Sequence, residues 1–171
     1  MSIHSKLVAS IFGEGGRSIR QISAKFYWRG GTPGDEHNWN NPFNWYNRTT
    51  PGWYDQVIIS PVHSKLTFHP VVDEFITDIN QLIVEAGGVL HILPSGKMCI
   101  DGLGKKGVGI INEGEILIHG ELTIQRTIYT NIRNGGYIKI FGSLALEEQQ
   151  KEAIVQHKSG KIENCGEIIY L

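Results

Sequence analysis

The amino-acid sequence of 171 residues lacks a strong charge of either sign and lacks a long apolar run. Its 16 basic and 17 acidic residues nearly cancel, and no cluster of Lys or Arg forms the electrostatic footprint typical of nucleic-acid binding. No apolar stretch is long enough to span a bilayer. The chain has only two cysteines, Cys99 and Cys165, and a zinc site needs more ligands than these two supply. We therefore expect neither nucleic acid as a partner nor a transmembrane segment.

Catalytic motifs are also missing from the sequence. It contains no G-x-S-x-G elbow, no Walker loop and no H-E-x-x-H pair. One alternative has His63 and His69 converge with Asp35 or Asp55, although surface or loop positions are the favoured interpretation of these histidines. We expect no enzyme activity, no cofactor and no metal site.

Glycine is abundant, with 21 residues, and some of the glycines recur with a fixed period. The segment Gly114–Ile124 is followed by Gly136–Leu146, in which glycines and apolar residues reappear in the same order and at the same spacing. A fixed period of about 20–50 residues marks a solenoid. Within each segment apolar residues alternate, as a half-buried strand requires. The pattern predicts a parallel β-helix, and the alternative is a β-sandwich with coincidental glycines.

The repeat extends beyond these two segments in both directions. Gly142 is followed by Gly166, and Gly120 is preceded by Gly96 at the same distance along the chain. Glycine breaks each coil at corresponding corners, where tight backbone approach is expected. About four coils are therefore predicted over residues 82–171.

All four tryptophans lie in one segment, residues 26–60, which we call the Trp-rich segment. It contains in order the patterns W-x-G-G from Trp28, W-x-x-x-x-N-W from Trp39 to Trp45, and P-x-x-x-D-x-V-x-I from Pro51. This order resembles the opening of many bacterial surface β-helix proteins. The resemblance implies a right-handed parallel β-helix with an extracellular, adhesive or scaffolding role. In size and coil architecture the chain also resembles bactofilins, small polymerising β-helix proteins of the bacterial cytoplasm, which lack the Trp-rich opening.

The Trp-rich segment allows two interpretations. The first coil of a β-helix exposes strand edges and the apolar end of its core, and natural proteins cover such ends. Large aromatic side chains are more often buried than displayed, which favours a cap. In the alternative, Trp39, Trp45 and Trp53 are exposed and contact surface glycans by stacking on pyranose rings.

Both termini of the sequence suggest an assembly interface. Five apolar residues share one face at helical spacing, namely Ile3, Leu7, Val8, Ile11 and Phe12. They predict a short N-terminal helix that packs on its own domain or docks on a neighbouring subunit. Ile168, Tyr170 and Leu171 lie in an uncapped final strand, which is a template for another chain. We expect these eight residues to mediate head-to-tail association, unless the helix covers the final rung of its own chain.

Together these features predict an all-β protein, a right-handed parallel β-helix with a short N-terminal helix. Its parts are an amphipathic arm over residues 1–25, a Trp-rich cap with the first strands over 26–81, and β-helix coils over 82–171. The main functional hypothesis is a self-assembling structural protein, a homo-oligomer or a filament of stacked subunits. The alternatives are a carbohydrate-binding adhesion module, a cytoplasmic bactofilin-like polymer and a polysaccharide-acting enzyme. The resemblance favours an extracellular or cell-surface location.

Overall fold

The computed structural model describes residues 24–61, 68–102, 107–125, 127, 130–147 and 153–171, and this part of the chain is built from β-strands. In chain order the strands are β1 Lys25–Tyr27, β2 Gln56–Ile59, β3 Val71–Val72, β4 Gln81–Val84, β5 Val89–Ile92, β6 Lys97–Ile100, β7 Val108–Asn112, β8 Glu115–Ile118, β9 Glu121–Ile124, β10 Thr130–Asn134, β11 Tyr137–Ile140, β12 Ser143–Leu146, β13 Ile154–Gln156, β14 Lys161–Asn164 and β15 Glu167–Tyr170. A 3₁₀ turn spans Pro42–Asn44. The helix predicted from Ile3 to Phe12 lies outside the described residues.

Three parallel sheets wind around one apolar core. The first sheet has the strand order β1-β2-β4-β7-β10-β13, the second β3-β5-β8-β11-β14, and the third β6-β9-β12-β15. From β4 onward, every three consecutive strands contribute one strand to each sheet, so the described residues form about four complete coils. The chain is therefore a parallel β-solenoid, and this part of the prediction is confirmed.

The strand register follows the spacing of the sequence repeat. Ile116 of β8 pairs with Ile138 of β11, and Ile138 pairs with Ile162 of β14. In the third sheet Met98 of β6 pairs with Leu122 of β9. Each of these partners is the equivalent residue of the next repeat. Buried and half-buried positions alternate along the strands of the inner coils, because successive side chains point to opposite faces. The number of residues between equivalent positions of two successive repeats is therefore the length of one coil.

Stacked glycines form the corner that precedes the third sheet. A Cβ atom on Gly120 would lie 2.2 Å from the carbonyl oxygen of Gly96, and one on Gly142 would lie 2.1 Å from that of Gly120. A Cβ atom on Gly166 would likewise lie 2.2 Å from the carbonyl oxygen of Gly142. Any side chain would overlap the preceding coil at these distances. Glycine is therefore required here for close backbone approach.

Aromatic side chains of the Trp-rich segment fill the N-terminal end of the core. Trp28 and Trp39 both pack edge-on against Trp45, with ring centroids 5.0 and 4.8 Å away, and Phe26 does the same at 6.3 Å. The indole nitrogen of Trp45 donates a hydrogen bond of 2.8 Å to the carbonyl of Trp39, and that of Trp28 donates one of 2.6 Å to Phe68. Buried indoles need such partners. Trp28, Trp39 and Trp45 thus form a buried cluster, as the cap interpretation requires.

Candidate functional site

The last coil, residues 153–171, is covered less than the coil before it. Its core-facing residues Ile154, Ile162 and Ile168 are partly exposed. The residues with which they pair one coil earlier are buried, namely Ile132, Ile138 and Leu144. Within the described ranges, β13, β14 and β15 each have a strand partner on one side only. Within the part of the chain that the structure describes, the last coil therefore presents strand edges and the apolar end of the core.

Three of the predicted interface residues lie together at this open end. Ile168 and Tyr170 occupy the register positions that Leu144 and Leu146 hold in the preceding coil. Tyr170 and Leu171 are 57% and 60% exposed. The predicted helical residues Ile3, Leu7, Val8, Ile11 and Phe12 lie outside the described residues, so the structure does not place them relative to this end.

A charged cluster on the outer face of the second sheet extends onto the last coil. Glu163 of β14 lies 2.8 Å from the ammonium nitrogen of Lys139 and accepts a hydrogen bond of 2.9 Å from the hydroxyl of Tyr137. Lys161, on the same strand, is 3.4 Å from Glu163. The hydrogen bond from Lys139, and after it the one from Tyr137, lowers the pKa of Glu163 to about 2. The bond to Glu163 in turn raises the pKa of Lys139.

No motif of the sequence pointed to this cluster, although the repeat contains the signal for it. Lys139 and Glu163 are separated by the same offset as Ile138 and Ile162, and the two charged residues are register partners on β11 and β14. Opposite charges at directly paired strand positions stabilise a sheet. The offset applied to outward-facing residues would therefore have identified the pair.

A histidine pair lies beside the corner between the second and third sheets, with His91 on β5 of the second sheet and His119 directly after β8. The His91 Nε2 and His119 Nδ1 atoms are 2.9 Å apart, and the ring of His119 stacks on Phe141 with centroids 4.4 Å apart. Partial burial, and then the proximity of His119, lowers the pKa of His91. A hydrogen bond between the two rings needs one nitrogen as acceptor, so at least one of these histidines is neutral when it forms.

A second group of histidines contains part of the cluster that the sequence suggested, which was His63 and His69 with Asp35 or Asp55. His69 and Asp35 both line a shallow cavity of about 380 Å³, and the ring of His37 lies 4.7 Å from that of His69. Burial, and then the neighbouring His37, lowers the pKa of His69. His63 lies outside the described residues. Among the residues that the structure describes, no group of three or more His, Cys, Asp or Glu side chains is arranged to hold a metal ion.

The three tryptophans considered for glycan contact differ in their exposure. Trp39 and Trp45 are 2% and 0% exposed, so the interpretation that displays them to a sugar is corrected. Their rings pack against each other at the end of the core. Trp53 is 50% exposed, and its ring lies 6.1 Å from that of Tyr54 at an interplanar angle of 31°. Trp53 is thus the only one of the three with a ring available to a ligand.

Comparison with protein-family models, with curated proteins and with solved structures finds no match to this chain. The fold assignment therefore rests on strand topology, and the resemblance to bacterial surface β-helix proteins stays an expectation. No helix within the described ranges has the length and apolar character needed to cross a membrane.

Proposed function

We propose that this protein is a structural β-solenoid that self-associates through its last coil. The observation that supports the proposal is the contrast between neighbouring coils. Ile162 is partly exposed, whereas Ile138, with which it pairs one coil earlier, is buried. A second chain stacked on the last coil would bury Ile162 to the same degree.

Two physical terms would drive this association. Edge strands present backbone N–H and C=O groups that pair readily with another strand. Partly exposed Ile154, Ile162 and Ile168 add apolar surface whose removal from water is favourable. Neither term needs a nucleotide or a cofactor. We infer right-handed winding of the coils, because crossover connections between parallel strands are almost always right-handed. The resemblance adds an extracellular or cell-surface location to the proposal.

Light scattering coupled to size-exclusion chromatography over a concentration series tests the proposal, with negative-stain electron microscopy of the same samples. We expect masses above that of one chain, and we expect Ile162→Lys to shift the protein to the monomer. Thr123→Lys is the matched control, since Thr123 is a partly exposed, outward-facing residue of β9 in an inner coil. A wild-type protein that stays monomeric at every concentration would refute self-association.

A second candidate function is glycan binding at Trp53 and Tyr54. The observation that favours it is that both rings are exposed and lie 6.1 Å apart at a tilt of 31°, because an exposed aromatic ring can stack on the apolar face of a pyranose. Isothermal calorimetry against a panel of soluble glycans tests this function. Binding that is lost in Trp53→Ala and kept in Tyr46→Ala, a change of another exposed aromatic residue, would support it. Absence of heat with every glycan would reject it for that panel.

A further inference from the structure

We infer that two copies of this chain meet tail to tail, last coil against last coil, and close as a dimer. The inference rests on the proposed self-association and specifies its geometry. It follows from a difference between the two ends of the solenoid and from the charge pattern of β14.

The N-terminal end of the described solenoid does not offer a surface like that of the last coil. Trp28, Trp39 and Trp45 lie in its first layer and are nevertheless buried. At this end isolated bridges lie against the edge of each sheet, at Trp28 beside β1, at Val71 of β3 and at Lys97 of β6. Head-to-tail stacking needs an open surface at both ends. The described residues provide one such surface, and two equal surfaces pair with each other through a twofold axis.

A twofold axis perpendicular to the solenoid reverses the strand direction of the second copy, so strands at the junction pair antiparallel. The three strands of the last coil lie in three different sheets. An axis through the middle of β14 places β14 against its own copy and exchanges the other two sheets. Strand β13 of one copy then pairs with β15 of the other. All three open edges acquire a partner in this arrangement.

The sequence of β14 is complementary to itself in this orientation. Ile162 faces the core, and Lys161 and Glu163 flank it on the outer face. When two such strands pair antiparallel about Ile162, Lys161 of each copy lies opposite Glu163 of the other. Opposite charges at paired positions are favourable and like charges are unfavourable. The dimer contains this pair twice because of its symmetry.

Charge reversal on the full-length chain tests the geometry. Lys161→Glu leaves two acidic residues on each β14, and Glu163→Lys leaves two basic ones, so each variant alone repels its own copy. We expect the dissociation constant of each variant to rise by roughly tenfold or more. In each variant dimer two like-charge contacts replace two attractive ones, and even a modest loss of binding free energy changes the dissociation constant by about one power of ten. An equimolar mixture of the two variants restores both attractive pairs. The mixture should therefore form a mixed dimer with near wild-type affinity, measured by light scattering and native mass spectrometry.

The matched control is Lys97→Glu, which reverses one partner of a comparable ion pair. Lys97 lies 2.8 Å from Glu121 on the first complete coils, away from the last coil. It should leave the dissociation constant unchanged. Glu163→Lys also removes the contact from Lys139, so circular dichroism should first show that both variants keep the wild-type β spectrum and melting behaviour.

A second variant keeps the inference falsifiable if a charge variant does not fold. In a background with both native thiols removed, Cys99→Ser and Cys165→Ser, Ile162→Cys places two thiols opposite each other across the twofold axis, within the reach of a disulfide. Mild oxidation should give a covalent dimer, whereas Thr123→Cys should not. Wild-type association without rescue in the mixture and without this disulfide would overturn tail-to-tail pairing while leaving self-association intact. Regular filaments would favour head-to-tail stacking and overturn the dimer, and a monomer at all concentrations would reject the proposed function itself.

Discussion

The side-chain amide nitrogen of Asn112 donates a hydrogen bond of 2.8 Å to the side-chain oxygen of Asn134, one coil further along the solenoid. Both residues are completely buried and are register partners on β7 and β10. Asn134 in turn donates to the carbonyl of Lys161 at 3.3 Å, in the last coil. The amides thus connect three successive coils through the interior, because buried polar groups need partners.

Replacing Asn134 tests this internal connection. Asn134→Ala leaves the amide of Asn112 without its side-chain partner and removes the link to Lys161. We expect a loss of about 1–3 kcal/mol in the free energy of unfolding, measured by chemical denaturation. The control Asn47→Ala changes an exposed asparagine and should stay within about 0.5 kcal/mol. Equal effects of the two variants would contradict a structural role for the buried amides.

The glycine corner predicts a steric effect at Gly142. Gly142→Ala would place a methyl group 2.1 Å from the carbonyl oxygen of Gly120, so the coils must separate or the corner must shift. We expect a destabilisation of about 1–3 kcal/mol or more. Gly52→Ala is the control, since the nearest atom to its Cβ would be an Asp55 oxygen 3.8 Å away. Thermal unfolding of both variants measures the difference, and a Gly142→Ala protein as stable as wild type would show that the corner relaxes easily.

The tryptophan cluster predicts unequal effects for two tryptophans of the same segment. Trp45→Ala removes a fully buried ring that three other aromatic side chains contact, and we expect a cost of about 3–5 kcal/mol. Trp53→Ala removes a half-exposed ring and should cost about 1 kcal/mol or less. Urea denaturation followed by circular dichroism compares them. A larger effect at Trp53 would contradict the assignment of the buried cluster as the cap.

Acid should weaken the fold through Glu163. Its pKa of about 2 in the folded protein lies below the ordinary value of 4.5, so the unfolded chain binds a proton at this carboxyl more readily. The stabilisation is therefore present above about pH 4.5 and is lost as the pH falls from there through about 2. Solvent exposure of the pair keeps the effect modest and reduces it further in high salt.

The variant Glu163→Gln isolates this contribution to the pH dependence. Denaturation curves at pH 7, 4 and 3 should show a stability difference between wild type and variant that shrinks as the pH falls. Lys97→Ala, which removes a more exposed ion pair, is a control for general charge effects. A difference between wild type and Glu163→Gln that stays constant over this range would contradict the lowered pKa.

Much of the fold could be predicted from the sequence because each coil of a solenoid repeats the same pattern of strands and corners. The offset between Gly120 and Gly142 is the length of one coil, and the register of β9 and β12 has the same offset. Alternation of apolar residues identified the core positions, since side chains of a strand alternate between faces. Whether an individual tryptophan side chain is buried or exposed could not be predicted in this way. Trp45 and Trp53 lie in the same aromatic segment, yet one is buried and the other is half exposed.

The amino-acid sequence by itself determined the period, the glycine corners and the strands beside those glycines, because each depends on residues at a constant offset along the chain. Only the tertiary structure decided which side chains meet across coils and which ends are covered. Lys139, Tyr137 and Lys161 converge on Glu163 because three-dimensional stacking brings β11 against β14. Ile162 is likewise partly exposed because, among the described strands, β14 pairs with β11 alone, since burial is a property of neighbours in space.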